Sequence, residues 1–252
     1  MTILHAIILG VVEGISEFLP ISSTGHLILA SNLLGLSQTD VQKTFEIAIQ
    51  LGAIVAVAVY YWRRFLDIEI LKKLIVAFIP TGIIGFTVYP FFKAALNGNA
   101  MVVVWSLAIG GAALIAFDYL KKEESGTIDQ LSYRDCMLIG LCQSVAIIPG
   151  VSRSAATILG GEMLGMSRIA VVEFSFLLAV PTMLATTGYD ILKHAHAFTS
   201  SDFGLIMIGF VTAFVVALLS IRWLLDFVRR HGFAWFGVYR IAVALAFALF
   251  VL

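Results

Sequence analysis

Charged side chains are scarce in this sequence of 252 residues, and thiols are scarcer still. Only 13% of the residues are Asp, Glu, Lys or Arg, against about 25% in soluble proteins, whereas 60% are apolar and the mean hydropathy is +1.00. This composition excludes a disordered chain and a nucleic-acid binder. With two cysteines, a secreted disulfide scaffold is excluded as well. A soluble core of this length could not bury so much apolar surface, so the predicted solvent is a lipid bilayer.

Apolar runs separated by polar breaks predict an all-α polytopic membrane protein, built as a single integral membrane domain over residues 1–252. A membrane span needs about 20 residues, and six segments approach or exceed that length. The predicted spans are 46–62, 74–92 (interrupted by Pro80 and Gly82), 101–120, 171–191, 204–226 and 235–252.

Four shorter apolar segments form two pairs, each split by a polar break that contains a proline. The pairs are 3–19 with 24–34, split at Leu19-Pro20-Ile21-Ser22-Ser23, and 135–148 with 154–165, split at Pro149-Gly150-Val151-Ser152-Arg153. Irregular backbone at membrane depth is tolerated only inside protein or beside a wet cavity. We therefore predict two re-entrant helical hairpins, and a pair of surface helices joined by a polar turn is the alternative.

Basic residues are distributed unevenly over the loops of this arrangement. Ten lie on one side and three on the other, so the positive-inside rule makes the first side cytoplasmic and places both termini outside. The ten are Arg63, Arg64, Lys72, Lys73, Lys121, Lys122, Arg134, Arg168, Arg229 and Arg230, and the three are Lys43, Lys93 and Lys193. Arg153, Arg222 and Arg240 lie within predicted elements.

Two parts of the chain resemble each other. The segment ending in Glu13 (LGVVE) resembles the segment ending in Gln143 (IGLCQ), and Pro20 and Ser23 match Pro149 and Ser152 at a spacing of 129. Repeat one covers about 3–92 and repeat two about 135–226, and 101–120 and 235–252 are additional spans. The charge-derived orientation inserts the two hairpins from opposite sides. The repeat is therefore predicted to have inverted topology, which places binding sites near the membrane midplane.

Ionisable groups at membrane depth are costly and indicate function, and here they concentrate in the two breaks. In the first, Glu13 and Glu17 share one helix face, and His26 lies in the first turn of the next half-helix. Carboxylates can hold a divalent cation, an imidazole can transfer a proton, and the hydroxyls of Ser22 and Ser23 can attack phosphorus.

The second break is suited to binding a phosphate. A helix N-terminus offers free N–H groups and the positive end of the helix dipole. Arg153 adds a planar guanidinium, Ser152, Ser154 and Thr157 add short donors, and Gly150 allows the backbone to approach closely. An acidic copy that bears nucleophiles thus faces a cationic copy, which predicts phosphoryl-ester chemistry beside lipid. A buried ion network that only fixes helix packing is the alternative.

At these residues the sequence resembles the undecaprenyl-diphosphatase family, also called bacitracin-resistance proteins. The matching blocks are GVVEGISEFLPISSTGH from Gly10, KTFEIAIQLGAI from Lys43, PGVSRSAAT from Pro149 and EFSFLLAVP from Glu173. The resemblance implies a bacterial inner-membrane enzyme that removes the terminal phosphate of undecaprenyl diphosphate. The product is the lipid carrier for cell-wall synthesis, and abundant enzyme confers bacitracin resistance.

The resemblance also implies roles for individual residues. Glu13 and Glu17 correspond to an acidic motif, His26 to an essential histidine and Arg153 to an essential arginine. The expected catalytic residues are Glu17, Ser22, Ser23, His26 and Arg153, the expected substrate-binding residues are Thr24, Gly150, Ser152, Ser154 and Thr157, and the expected metal ligands are Glu13 and Glu17. The metal implied is Mg²⁺ or Ca²⁺, in a site that opens to the outer face.

Several alternatives stay open at this level. Ser23 is the favoured nucleophile, with His26 or Glu17 as base, but attack by His26 or by a water that it activates is also compatible with the sequence. The expected partners are undecaprenyl diphosphate and membrane lipid, not nucleic acid, and the oligomeric state is open, a homodimer included. A transporter or flippase of a phosphorylated lipid, or of another anion, is the alternative function, because broken helices in inverted repeats are usual in transporters.

Overall fold

Helices account for the regular structure of the chain. The structure is a computed structural model that describes residues 1–36, 39–96, 100–120, 125–194 and 203–250. Within these ranges it contains ten α-helices and no β-strand, which confirms an all-α protein. The helices are α1 (Ile3–Ser16), α2 (Ser23–Leu33), α3 (Asp40–Tyr60), α4 (Ile68–Leu96), α5 (Ala100–Leu120), α6 (Tyr133–Ser144), α7 (Arg153–Met163), α8 (Arg168–His194), α9 (Phe203–His231) and α10 (Ala234–Phe250).

Five of the helices, α3, α4, α5, α8 and α9, are long and apolar enough to cross a membrane. The sixth predicted span corresponds to α10, an apolar helix of 17 residues. These lengths confirm a polytopic membrane protein. The predicted interruption at Pro80 and Gly82 is wrong, because α4 continues through both residues. A proline removes one helix hydrogen bond, and the packing of α4 against α6 and α8 retains the helix nevertheless.

Both split pairs are present, as α1 with α2 and α6 with α7, and the first break lies inside the protein. Its residues Phe18, Leu19 and Ile21 are buried in the largest hydrophobic cluster, together with Phe176 of α8. Phe18 and Phe176 meet edge to face, with ring centroids 5.4 Å apart. Burial of this kind is the condition under which irregular backbone is tolerated at membrane depth.

The second pair repeats the first at a constant spacing of 130 residues. The helix α2 begins at Ser23 and α7 at Arg153, and each has 11 residues. The preceding residues, Ser22 and Ser152, share an unusual positive φ of 74° and 72°. The predicted spacing of 129 for the Pro and Ser pairs is therefore wrong by one residue. A spacing of 129 would pair Arg153 with Thr24. The spacing of 130, defined by the equivalent backbone positions and not by the prolines, pairs Arg153 with Ser23.

Each hairpin packs against the last long helix of the other predicted repeat. The helix α1 packs on α9 and α6 packs on α4, while α5 and α10 pack on each other. Equivalent glycines lie at the two crossings. A Cβ on Gly10 would lie 2.8 Å from the Gly209 carbonyl oxygen, and one on Gly140 would overlap the Ala77 carbonyl oxygen. Through this exchange each half of the protein packs against the other.

Only some of the basic residues that predict the membrane orientation lie within the described part of the chain. Lys121, Lys122 and the side chains of Lys93 and Lys193 lie outside the described residues. Lys73 is buried and donates to the carbonyl oxygens of Ile128 and Asp129 at 3.0 and 2.7 Å, so it holds the loop that precedes α6. The orientation of the termini stays a prediction.

We expect Gly140→Ala to destabilise the protein by about 1–3 kcal/mol, because the added methyl group overlaps the Ala77 carbonyl and forces α4 and α6 apart. Thermal unfolding of the purified protein in detergent measures this effect. Gly85→Ala in α4 is the matched control, because nothing lies within 4 Å of a Cβ there. The control should keep or raise the melting temperature, since Ala favours helix. Equal melting temperatures for the two variants would contradict the close helix crossing.

Candidate active site

The two breaks meet at one carboxylate, Glu17. The Ser23 hydroxyl, at the start of α2, donates to Glu17 Oε2 at 2.5 Å. The Arg153 guanidinium, at the start of α7, donates from Nη2 to Glu17 Oε1 at 3.3 Å. The side chains of Glu17 and Arg153 are 5% and 12% exposed. The structure thus joins a candidate nucleophile, a candidate base and a cation in one cluster. Because this cluster is shielded from water, the charges in it interact more strongly than they would at the surface.

Further hydrogen bonds hold Arg153 and its helix in place. Its Nη1 donates to the Ser175 carbonyl oxygen of α8 at 3.0 Å, and Thr157 Oγ1 lies 2.6 Å from Ser175 Oγ. Ser154 donates to the Phe18 carbonyl oxygen in the first break at 2.8 Å. The predicted substrate-binding residues Ser154 and Thr157 thus bind protein atoms in this state. Arg153 Nε is buried and has no hydrogen-bond partner among the described residues, so the guanidinium keeps a donor for a further oxygen.

Strained backbone shapes the start of both half-helices. Positive φ is usual for glycine, and it costs other residues about 1–3 kcal/mol, yet Ser22 and Ser152 both adopt it. Ser152 gains a compensating bond, since its hydroxyl accepts from the Ala155 N–H at 3.2 Å and caps α7. Ser22 is buried, and its hydroxyl does not cap α2. Strain of this kind concentrates at functional sites, and the role of Ser22 stays a prediction.

The remaining predicted residues lie around this cluster. His26 is hydrogen-bonded at both ring nitrogens, to the Ser22 carbonyl and to the Tyr239 hydroxyl, each at 2.8 Å. Thr24 is exposed. Gly150 faces α5, where a Cβ would lie 2.9 Å from the Val103 carbonyl oxygen, and its φ is +91°. Packing and backbone conformation therefore account for glycine at this position.

Glu13 is the residue best placed to require a cation. It is fully buried one helical turn before Glu17, and neither of its carboxylate oxygens has a hydrogen-bond partner among the described residues. Hard divalent cations take carboxylate oxygens, so the pair fits Mg²⁺ or Ca²⁺. The described part of the chain has no cluster of three or more His, Cys, Asp or Glu that could hold a metal. Glu13 and Glu17 are thus the two described residues that could hold such a cation.

Arg240 connects both breaks to α5 and α10, although from the sequence it was predicted only to lie within the last span. It is completely buried, and its five N–H groups donate at 2.9–3.3 Å to five backbone carbonyl oxygens. The acceptors are Pro20 in the first break, Gly150 and Val151 in the second, and Ser106 and Leu107 in α5. The available signal was an arginine inside an apolar span, which indicates function or buried pairing.

Comparison with known proteins identifies close relatives along the whole chain. The family model for "Bacitracin resistance protein BacA" matches residues 6–246. A protein of Aquifex aeolicus named undecaprenyl-diphosphatase is 51% identical over 255 residues, covering 100% of both chains. Proteins of the same name from a Sulfurihydrogenibium species and from Bdellovibrio bacteriovorus are 49% and 50% identical. The first of these two alignments covers 99% of each chain, and the second covers 97% of this chain and 94% of the relative.

We expect Arg240→Lys to destabilise the protein by about 3–5 kcal/mol, because it leaves buried backbone carbonyls unpaired. A lysine has three donors on one nitrogen and cannot reach five separated acceptors. Thermal unfolding in detergent measures the loss, and Arg229→Lys at the exposed end of α9 is the matched control. An unchanged melting temperature for Arg240→Lys would show that the breaks do not depend on the guanidinium.

Proposed function

Because the chain belongs to the bacitracin resistance protein BacA family, it hydrolyses undecaprenyl diphosphate, and we propose that the cluster of Glu17, Ser23 and Arg153 is its active site. The activity recycles the lipid carrier of cell-wall synthesis and confers bacitracin resistance. The contact of Ser23 and Arg153 with the two oxygens of Glu17 carries this proposal. It supports a site in which a nucleophile, a base and a cation act on a single phosphoryl group.

In the proposed reaction the Ser23 hydroxyl oxygen attacks the terminal phosphorus, and Glu17 accepts the hydroxyl proton. The Oγ–P bond forms while the bond from phosphorus to the bridging oxygen breaks, which releases undecaprenyl phosphate. Water then hydrolyses the phosphoserine to inorganic phosphate and restores Ser23. The 2.5 Å hydrogen bond supports Glu17 as the base for the attack by Ser23, and His26 is left to accept a proton from the water that hydrolyses the phosphoserine.

Positive charge from two sources stabilises the phosphoryl group in this proposal. Arg153 offers a guanidinium with an unpaired Nε, and α2 and α7 both begin at the breaks. Helix N-termini bind anions through free N–H groups and the helix dipole, and such preorganised groups act most strongly where water is excluded. The half-helix ends therefore form an electrostatic cradle for a diphosphate whose isoprenoid tail lies in lipid.

We further propose that Glu13 and Glu17 hold Mg²⁺ or Ca²⁺. The buried, unpartnered carboxylate of Glu13 supports this assignment. A divalent cation bound there would neutralise charge on the diphosphate. The excess of basic residues on one side of the predicted arrangement supports an orientation with both termini outside. Membership of the family supports a bacterial plasma-membrane protein whose site opens to the outer face.

We expect Arg153→Gln to reduce phosphate release from undecaprenyl diphosphate by about 100-fold or more, because the developing charge loses its cation. The assay uses purified protein in detergent with Mg²⁺ or Ca²⁺, and with and without chelator. Arg168→Gln, whose native partner is Asp118, is the matched control and should remain active. Near-normal release by Arg153→Gln would contradict the site, and release that resists the chelator would contradict the cation. No release by the wild type would favour the transporter.

We expect a phosphoserine at residue 23 in a rapid acid quench of the wild-type reaction, detected by mass spectrometry of its peptide. Ser23→Ala should lose both the adduct and turnover, because the attacking oxygen is removed. Ser16→Ala, which loses only a bond to the Val12 carbonyl, should retain both. A phosphate found on His26 would show that His26, and not Ser23, is the nucleophile. No adduct, with a single inversion at phosphorus, would assign the attack to water.

A further inference from the structure

His26 is held by a hydrogen bond on each side of its imidazole ring. Nδ1 lies 2.8 Å from the Ser22 carbonyl oxygen, and Nε2 lies 2.8 Å from the hydroxyl oxygen of Tyr239 in α10. The rings of His26 and Tyr239 are also stacked, with centroids 5.5 Å apart and 9° between their planes. The imidazole is therefore fixed between α2 and α10, two helices that are distant in sequence.

These partners determine which nitrogen of His26 carries a proton. A carbonyl oxygen can only accept, so Nδ1 must carry a hydrogen and donate it to Ser22. In the neutral ring Nε2 then has the lone pair, which accepts from the Tyr239 hydroxyl. Nε2 is the nitrogen that is able to take a proton or to bind a phosphate oxygen after protonation, and it is the atom that Tyr239 contacts.

We infer that Tyr239 is a positioning residue for the phosphatase reaction, because its hydroxyl holds His26 in the Nδ1–H form with Nε2 directed away from the backbone. The inference rests on the proposed function, since it requires that His26 takes part in the reaction. Ser23 lies three residues before His26 in α2, so their side chains share one face of the helix. The oriented imidazole therefore lies on the helix face that carries the Ser23 hydroxyl.

The position of Tyr239 in the chain supports this role. It precedes Arg240, which binds the carbonyls of both breaks, so one stretch of α10 holds the backbone of the site and the imidazole beside it. Tyr239 is 44% exposed and His26 is half-buried, whereas Glu17 and Arg153 are shielded. The His26–Tyr239 pair is thus more accessible to an arriving diphosphate than the buried cluster is.

Tyr239→Phe tests the inference, because it removes the hydroxyl and keeps the stacked ring. We expect kcat to fall about 3- to 10-fold with little change in KM. The acidic limb of the pH–rate profile should move to higher pH, because the neutral imidazole loses a bond that stabilises it. The charged group that acts on His26 is Arg240 of α10, and it is the same in wild type and variant. The shift of the profile therefore reports the hydroxyl.

A second measurement does not depend on turnover. In protein labelled with ¹⁵N-histidine, the His26 signals are identified by their loss in His26→Gln, and in the wild type they should show the Nδ1–H form. The Nε2 resonance should shift in Tyr239→Phe. Tyr133→Phe is the matched control, since it removes an exposed hydroxyl that donates to Glu69 at 3.0 Å. This control should leave rate, pH profile and resonance unchanged.

The outcomes separate this inference from the proposed function. An active Tyr239→Phe protein with wild-type kcat, pH profile and Nε2 resonance would overturn the inference and leave the phosphatase proposal intact. A wild-type protein that releases no phosphate would overturn the proposed function, while the ¹⁵N resonance would still report the hydrogen bond. Equal losses of rate in Tyr239→Phe and Tyr133→Phe, with lowered melting temperatures, would mean general destabilisation and would also overturn the inference.

Discussion

The two helix breaks leave backbone carbonyls that no helix turn can pair, and the packing around both breaks depends on satisfying them. A helix that stops in the interior of a membrane protein leaves carbonyl oxygens without donors, and each costs free energy when no water reaches it. Arg240 satisfies three of these oxygens in the breaks and two more in α5 with a single planar group. Arginine suits this position because its five donors are arranged as a rigid fork.

Once the breaks are held, the chemistry follows from how the two copies differ. Ser23 and Arg153 occupy the same place, the first residue of the second half-helix, and both follow a serine with positive φ. One copy therefore places a hydroxyl, and the other a guanidinium, against the same carboxylate of Glu17. Glu13 has the neutral Gln143 as its counterpart, which binds Thr81 and Thr182. The acidic side of the site thus comes from one copy and the cationic side from the other.

Much of the fold and of the site followed from the sequence, and the errors have physical causes. Apolar length located all ten helices, and the cost of charge in lipid identified Glu17, Ser23 and Arg153 as a group that the structure brings together. The predicted break at Pro80 failed because packing on α6 and α8 outweighs one lost hydrogen bond. The one-residue error in the repeat arose from aligning prolines, although the turns before α2 and α7 place them differently. Ser175 was missed because its backbone carbonyl, not its hydroxyl, holds Arg153.

The lipid solvent, the approximate positions of the helices and the residue types of the site could be predicted from the sequence, because each depends on local composition: where an apolar run lies, and where a charge interrupts it. The helix ends differ from the prediction, since α4 and α9 each have 29 residues where 19 and 23 were predicted. The partners of each residue depend on the folded arrangement. That α1 packs on α9 and α6 on α4, that Arg240 binds both breaks, and that Tyr239 meets His26 across 213 positions depend on which helices are neighbours. Such contacts leave no periodic signal in the chain. Every residue type has a backbone carbonyl, so an acceptor of this kind cannot be recognised from the sequence.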